Sequence, residues 1–207
     1  NLHKNKMMKK FCFLFLVCSL FPVCTVKAQC LRNDKLYDNY RTIQVSYITL
    51  INGYDLSVRG YDMYLTAEQN TESNSVDYVI NIVTGYYLSQ NDILLFKLTN
   101  GELLKLTAHS VTRTEHKKIS PTADNLLFGT GNHEISTEYT YTAQFSLSKS
   151  ELEKLELGVA VARISYYDTY LEKRWRRDKI GKFIKQSHKL IEERLSQPFG
   201  ENLYEGL

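Results

Sequence analysis

Between Thr42 and about Ser165 the apolar residues come mostly in short runs broken by polar clusters, and the runs are rich in β-branched and aromatic side chains. That texture suits strands, whose side chains alternate between two faces, better than helices, whose apolar positions recur every three or four residues. The segment TIQVSYITLI begins as an alternation that sends Ile43, Val45 and Tyr47 one way and Gln44 and Ser46 the other. YDMYLTA, VDYVINIVTG and DILLFKLT read as further strands, and EQNTESNS, from Glu68 to Ser75, as a polar tip. In ILLFKLTNGELLKLTA, Asn100-Gly101 stands between two apolar runs, and both residues tolerate positive φ, which predicts a two-residue hairpin. That register sets Leu95 opposite Leu106 and Leu98 opposite Leu103, a pair buried on both faces and so central in its sheet. KKISPTADNLLFGTGN is long for a plain connection and predicts a functional loop or a protruding hairpin, ahead of the long strand HEISTEYTYTAQFSL.

Two helices interrupt this pattern. Ser148 is a good N-cap, Glu151 three residues on completes a capping box, and Leu147 can staple to Leu152. With Gly158 as a stop, these predict a helix from about Lys149 to Leu157, followed by the strand VAVARISY. The second helix is predicted from about Asp178 to Ser196, where Ile180, Phe183, Ile184, Ser187, Leu190, Ile191 and Leu195 form one stripe. Pro198 and Gly200 end it. The fold class expected is mainly β. It is an antiparallel β-sandwich over residues 29–207 in a single domain, with a short helix before the last strand and a C-terminal amphipathic helix packed on the sheet.

The first residues concern destination. Lys9-Lys10, the apolar run from Phe11 to Val23 and the exit TVKAQ describe a secretory signal. Val26 and Ala28 sit where signal peptidase reads, which places the cut after Ala28 and makes residues 1–6 an upstream extension. The run is shorter than the roughly 20 residues of a spanning helix, so no integral span is expected after cleavage. The residues before Cys18, Cys24 and Cys30 (Val17, Val23 and Gln29) are not the small ones that precede a lipidated cysteine. Cys12, Cys18 and Cys24 leave with the leader, so Cys30 has no internal partner and the core must hold the fold. The 26 basic residues fall to 21 when the five leader lysines go, against 23 acidic ones. That balance offers nothing to a nucleic acid.

Local charge is less even. Residues 172–194 hold nine basic and four acidic residues, while residues 29–171 hold twelve and seventeen, which favours docking of the tail on the body. Within the tail, EKRWRRDK surrounds the chain's only tryptophan with Arg174, Arg176 and Arg177. If the last helix ran back through it at about 100° per residue, Trp175 would point away from the apolar stripe and Arg177 into it. A break near Asp178, which can cap the helix, avoids both. Trp175 then packs on the body and the arginines either shoulder it or grip an anionic surface such as lipid or polysaccharide.

Reactive motifs are absent: there is no H-E-x-x-H, no cysteine cluster and no G-x-S-x-G. No metal or cofactor is expected. Paired carboxylates brought together from distant strands leave no local signature, which keeps a hydrolase of envelope or extracellular polymers in play. The fifteen tyrosines cluster, with Tyr86 and Tyr87 adjacent and Tyr139 and Tyr141 alternating. Such residues either cover a sandwich rim or form a platform for sugars or a protein partner.

NDILLFKLTNGELLKL, YTAQFSLSKSELEKLELGVAVARI and RRDKIGKFIKQSHKLI together resemble a pattern in uncharacterised secreted proteins of Gram-negative anaerobic bacteria. The resemblance implies an exported, mainly antiparallel β fold and carries no catalytic residues. The expected function is a secreted or periplasmic non-enzymatic binding protein of the cell envelope, with glycan or protein as partner and Tyr86, Tyr87, Arg174, Trp175, Arg176 and Arg177 as candidate contacts. A hydrolase and a structural subunit of an envelope complex are the alternatives.

Overall fold

The computed structural model describes residues 30–52, 60–121, 133–166 and 169–199. The predicted leader lies outside them. The strands are β1 (Leu31–Tyr37), β2 (Tyr40–Val45), β3 (Ile48–Ile51), β4 (Tyr61–Asn70), β5 (Val76–Thr84), β6 (Ile93–Leu98), β7 (Leu103–Thr107), β8 (Ser110–Pro121), β9 (His133–Leu147), β10 (Val159–Tyr166) and β11 (Thr169–Arg174). The helices are α1 (Lys149–Glu156) and α2 (Ile180–Leu195). Among the described residues the strands form two antiparallel sheets, ordered β1-β2-β4-β5-β9-β8 with β3 beside β4, and β11-β10-β6-β7.

The mainly β class and the closing helix are as the sequence predicts. Ile43, Met63, Leu65, Ile80, Ile82 and Phe145 of the first sheet share one buried cluster with Leu94, Phe96, Leu106 and Ile164 of the second. α1 adds Leu152 and Leu155, and α2 adds Ile180, Phe183, Ile184 and Ile191. Each such side chain contributes roughly 1.5–3 kcal/mol when fully buried.

Local capping explains where the helices start and stop. Ser148 accepts from the Glu151 amide while the Glu151 carboxylate accepts from the Ser148 amide, the predicted box. Asp178 Oδ1 accepts from the amides of Gly181 at 2.8 Å and Val159 at 3.1 Å, so it ties the first turn of α2 to the start of β10. Gly158 has φ +124°, a conformation that side chains rarely adopt. A Cβ on Gly181 would lie 2.7 Å from Gly158 Cα, so α2 enters directly against the end of α1.

Several local expectations are corrected. The hairpin loop takes three residues: the Leu98 amide donates to Glu102 O at 2.8 Å, the Gly101 amide to Leu98 O at 3.0 Å, and Gly101 has φ +90°. That one-residue slip pairs Leu94 with Leu106 and Leu95 with Lys105. Leu94, Phe96, Leu98, Leu104 and Leu106 therefore face the core, while Leu95 and Leu103 face outward beside lysines, and β7 is an edge strand. TIQVSYITLI is two strands, because the chain breaks at Ser46-Tyr47 and turns Tyr47 outward. β1 and β11 were not expected, and Lys117–Pro121 belongs to a strand. β8 and β9 stay paired as far as Pro121 and His133, and the rest of KKISPTADNLLFGTGN lies outside the described residues.

Candidate functional site

The long β8–β9 pair makes an arm whose base continues the inner face of the first sheet. Ala143, Phe145 and Leu147 of β9 are buried. Two residues further out on the same face come Tyr141 and Tyr139, and β8 places Val111 beside Ala143 and Arg113 beside Tyr141. Val111 and Tyr141 still pack partly against the core, while Arg113 and Tyr139 lie beyond its cover. This face meets the β5–β6 connection, and Tyr87, Leu88, Ser89, Gln90, Val111, Arg113 and Tyr141 line an open hollow of about 410 Å³.

Tyr87 is presented rather than left loose. Its neighbour Tyr86 stacks on buried Tyr61, with ring centroids 5.5 Å apart and planes 12° apart. Its other neighbour, Leu88, is buried. The connection is closed by hydrogen bonds from the Ser89 amide to Asp92 Oδ2 at 2.7 Å and from the Ala108 amide to Asp92 O at 3.0 Å. Between these anchors Tyr87 stays 57 % exposed, its ring edge-on to Tyr141 at 5.5 Å. Further along, the Arg113 guanidinium lies 4.9 Å over the ring of Tyr139, which is 40 % exposed. The result is a track of three phenol rings and one guanidinium, with Ser89 and Gln90 beside it.

The candidate residues thus fall in different places. Tyr86 belongs to the packing that holds Tyr87. Arg174 lies on the outer face of the second sheet, 2.5 Å from Glu172 Oε1, and lines a separate hollow of about 260 Å³ with Leu95, Leu103 and Val161. Trp175 packs against the core, and its amide donates to Ala160 O at 3.0 Å. Arg176 and Arg177 are exposed beyond β11. Tyr139 and Tyr141 stand out in the sequence as an alternating pair. Arg113 has no such signal, because its partnership depends on the β8–β9 register.

Two polar clusters elsewhere resemble chemical machinery but are occupied. Near Tyr78, His188 Nδ1 is 2.5 Å from Glu156 Oε1, and Nε2 is 3.1 Å from the Tyr78 hydroxyl and 3.2 Å from Glu192 Oε1. Burial, then the carboxylates of Glu192 and Glu156, push the Tyr78 hydroxyl up to about 12, so it stays a neutral phenol. The cluster joins β5, α1 and α2. At the far end of α2, Arg41 grips both oxygens of Asp34 at 2.9 and 2.8 Å and Arg194 Nε reaches Asp34 Oδ2 at 2.5 Å. Burial would raise the Asp34 carboxyl, but the two guanidiniums outweigh it and hold it below the usual carboxylate range. Among the described residues no group of three or more His, Cys, Asp or Glu is placed to hold a metal ion, and no helix is long and apolar enough to cross a membrane.

The chain matches no protein-family model, no curated protein and no solved structure. The reading of function therefore rests on the geometry.

Proposed function

We propose that this is an exported, non-enzymatic binding protein of the cell envelope that holds a polysaccharide chain at the root of the β8–β9 arm. The observation that carries this is Tyr87, an exposed ring held between two anchored neighbours and continued by Tyr141, Tyr139 and Arg113. Fixing an exposed ring before a ligand arrives removes the ordering cost that would otherwise weaken binding. Phenol rings offer apolar faces with polar tips, which suits the apolar faces of sugar rings. Arg113, Ser89 and Gln90 can meet the hydroxyls at their edges. The rival hydrolase needs two carboxylates across a cleft. Among the described residues the arm-root hollow is lined by none, and the sheet-face hollow by Glu172 alone, which is engaged by Arg163 and Arg174.

The test is retention on a panel of immobilised neutral and acidic polysaccharides. The parent protein is retained on at least one. The Tyr87→Ala/Tyr141→Ala double variant keeps a single cooperative melt but elutes in the void. Equal retention of parent and variant removes this site from the account, and hydrolysis of the retained polymer overturns the non-enzymatic reading.

A further inference from the structure

We infer that the outer face of the second sheet is a docking surface for a bilayer rich in acidic phospholipid headgroups. The inference stands apart from the polysaccharide reading, because it uses different residues on a different sheet. Strand register places two rows of side chains across this face. One runs Arg174, Val161, Lys97, Leu103, and the next runs Glu172, Arg163, Leu95, Lys105. Cations and aliphatics thus interleave, and the two rows carry four cations against one carboxylate. Leu95, Leu103 and Val161 line the hollow between them.

The exposure pattern is that of a membrane interface rather than a sealed surface. Leu103 is 59 % exposed at the edge strand next to the Asn100-Gly101 turn. Tyr170, one step along β11 on the same face, is 53 % exposed with the Arg163 guanidinium 4.5 Å over its ring. Aliphatic side chains that can enter the headgroup region, a tyrosine at its level and long cations reaching lipid phosphates form the usual interfacial set. Glu172 does not oppose this. It bonds to both Arg163 and Arg174, which hold its carboxyl below the ordinary range and lay the two guanidiniums along the face.

Charge decides the occupant. A second copy would set four cations against four across the interface, which is repulsive. At 260 Å³ the hollow is smaller than the sites that enclose a drug-sized ligand, which start near 300 Å³. An extended anionic surface satisfies both the rows and their breadth.

The experiment is co-sedimentation with vesicles of phosphatidylcholine alone and of phosphatidylcholine mixed with phosphatidylglycerol, using the protein as an exporting host releases it. Binding is expected only to the mixed vesicles and to fall with added salt. The triple variant Lys97→Gln/Lys105→Gln/Arg174→Gln changes exposed side chains only and is expected to melt like the parent. It should lose about a hundredfold in partitioning, near one factor of five per cation removed. Leu103→Ser keeps the charge and should lose severalfold. Equal binding to both vesicle types, an unchanged triple variant, or salt-sensitive binding to dextran sulfate with none to vesicles would each overturn the inference. Full binding by Leu103→Ser would overturn its aliphatic half.

Discussion

The helical end of the sandwich and the root of the β8–β9 arm treat their polar groups in opposite ways. At the helical end Asp34, Arg41 and Arg194 are buried and bonded to one another, with Arg41 also donating to Gln197 O at 2.8 Å and Arg194 O at 3.1 Å. His188 is likewise engaged by Glu156, Glu192 and Tyr78. At the arm root the backbone is anchored just as firmly, but Tyr87, Tyr139 and Arg113 keep open faces. Groups engaged with each other stabilise and have little left for a ligand. Groups held rigid with an uncommitted face are what a binding site requires.

The largest effect expected at the helical end is from Asp34→Ala. It strands two buried guanidiniums without their counter-charge, which costs about 3–5 kcal/mol, read as a fall in the urea midpoint with unchanged slope. A loss near zero would mean that this end is not where stability resides. The same carboxyl sets an acid limit. Its folded-state affinity for protons is lowered, so its contribution is complete above about pH 4, near the ordinary aspartate value, and drains as pH falls through the lower folded value. A series of urea midpoints from neutral to acid pH should show this loss in the parent, and the loss should be smaller in Asp34→Asn.

Next in size is Gly181→Ala. The added Cβ would lie 2.6 Å from Asp178 Oδ2 and 2.8 Å from Leu155 O, so α2 must move off α1. Overpacking of this kind costs about 1–3 kcal/mol. The smallest effects sharpen the comparison at the arm root. Tyr86→Ala removes a ring stacked on the core and should cost about 1–3 kcal/mol, while Tyr87→Ala should stay within about 0.5 kcal/mol. Thermal melts of the two variants check this. Equal losses would make Tyr87 a packing residue like its neighbour.

How far the sequence could be read followed how local each signal was. The capping box at Ser148 and Glu151, the stripe from Ile180 to Ile191 and the break at Asp178 depend on residues within one or two turns, and all are in place. The tight hairpin was legible at Asn100-Gly101, but its register hinged on whether the loop took two residues or three. One residue reverses both faces of β6 and β7. β1 escaped notice because LRNDKLY is mostly exposed and lacks an apolar alternation. The candidate site was half visible. Tyr86 and Tyr87 stand out as adjacent tyrosines, yet nothing local tells which ring packs on the core, and Arg113 joins them only through pairing with a strand some thirty residues away.

The most direct test is hydrogen–deuterium exchange of the protein with and without a polysaccharide that retains it. Added protection is expected only at Tyr87–Gln90, Val111–Arg113 and Tyr139–Tyr141, with α2 exchanging equally slowly in both samples. Protection that appears on α2 or across β6, β7 and β10, with none at the arm root, would contradict it.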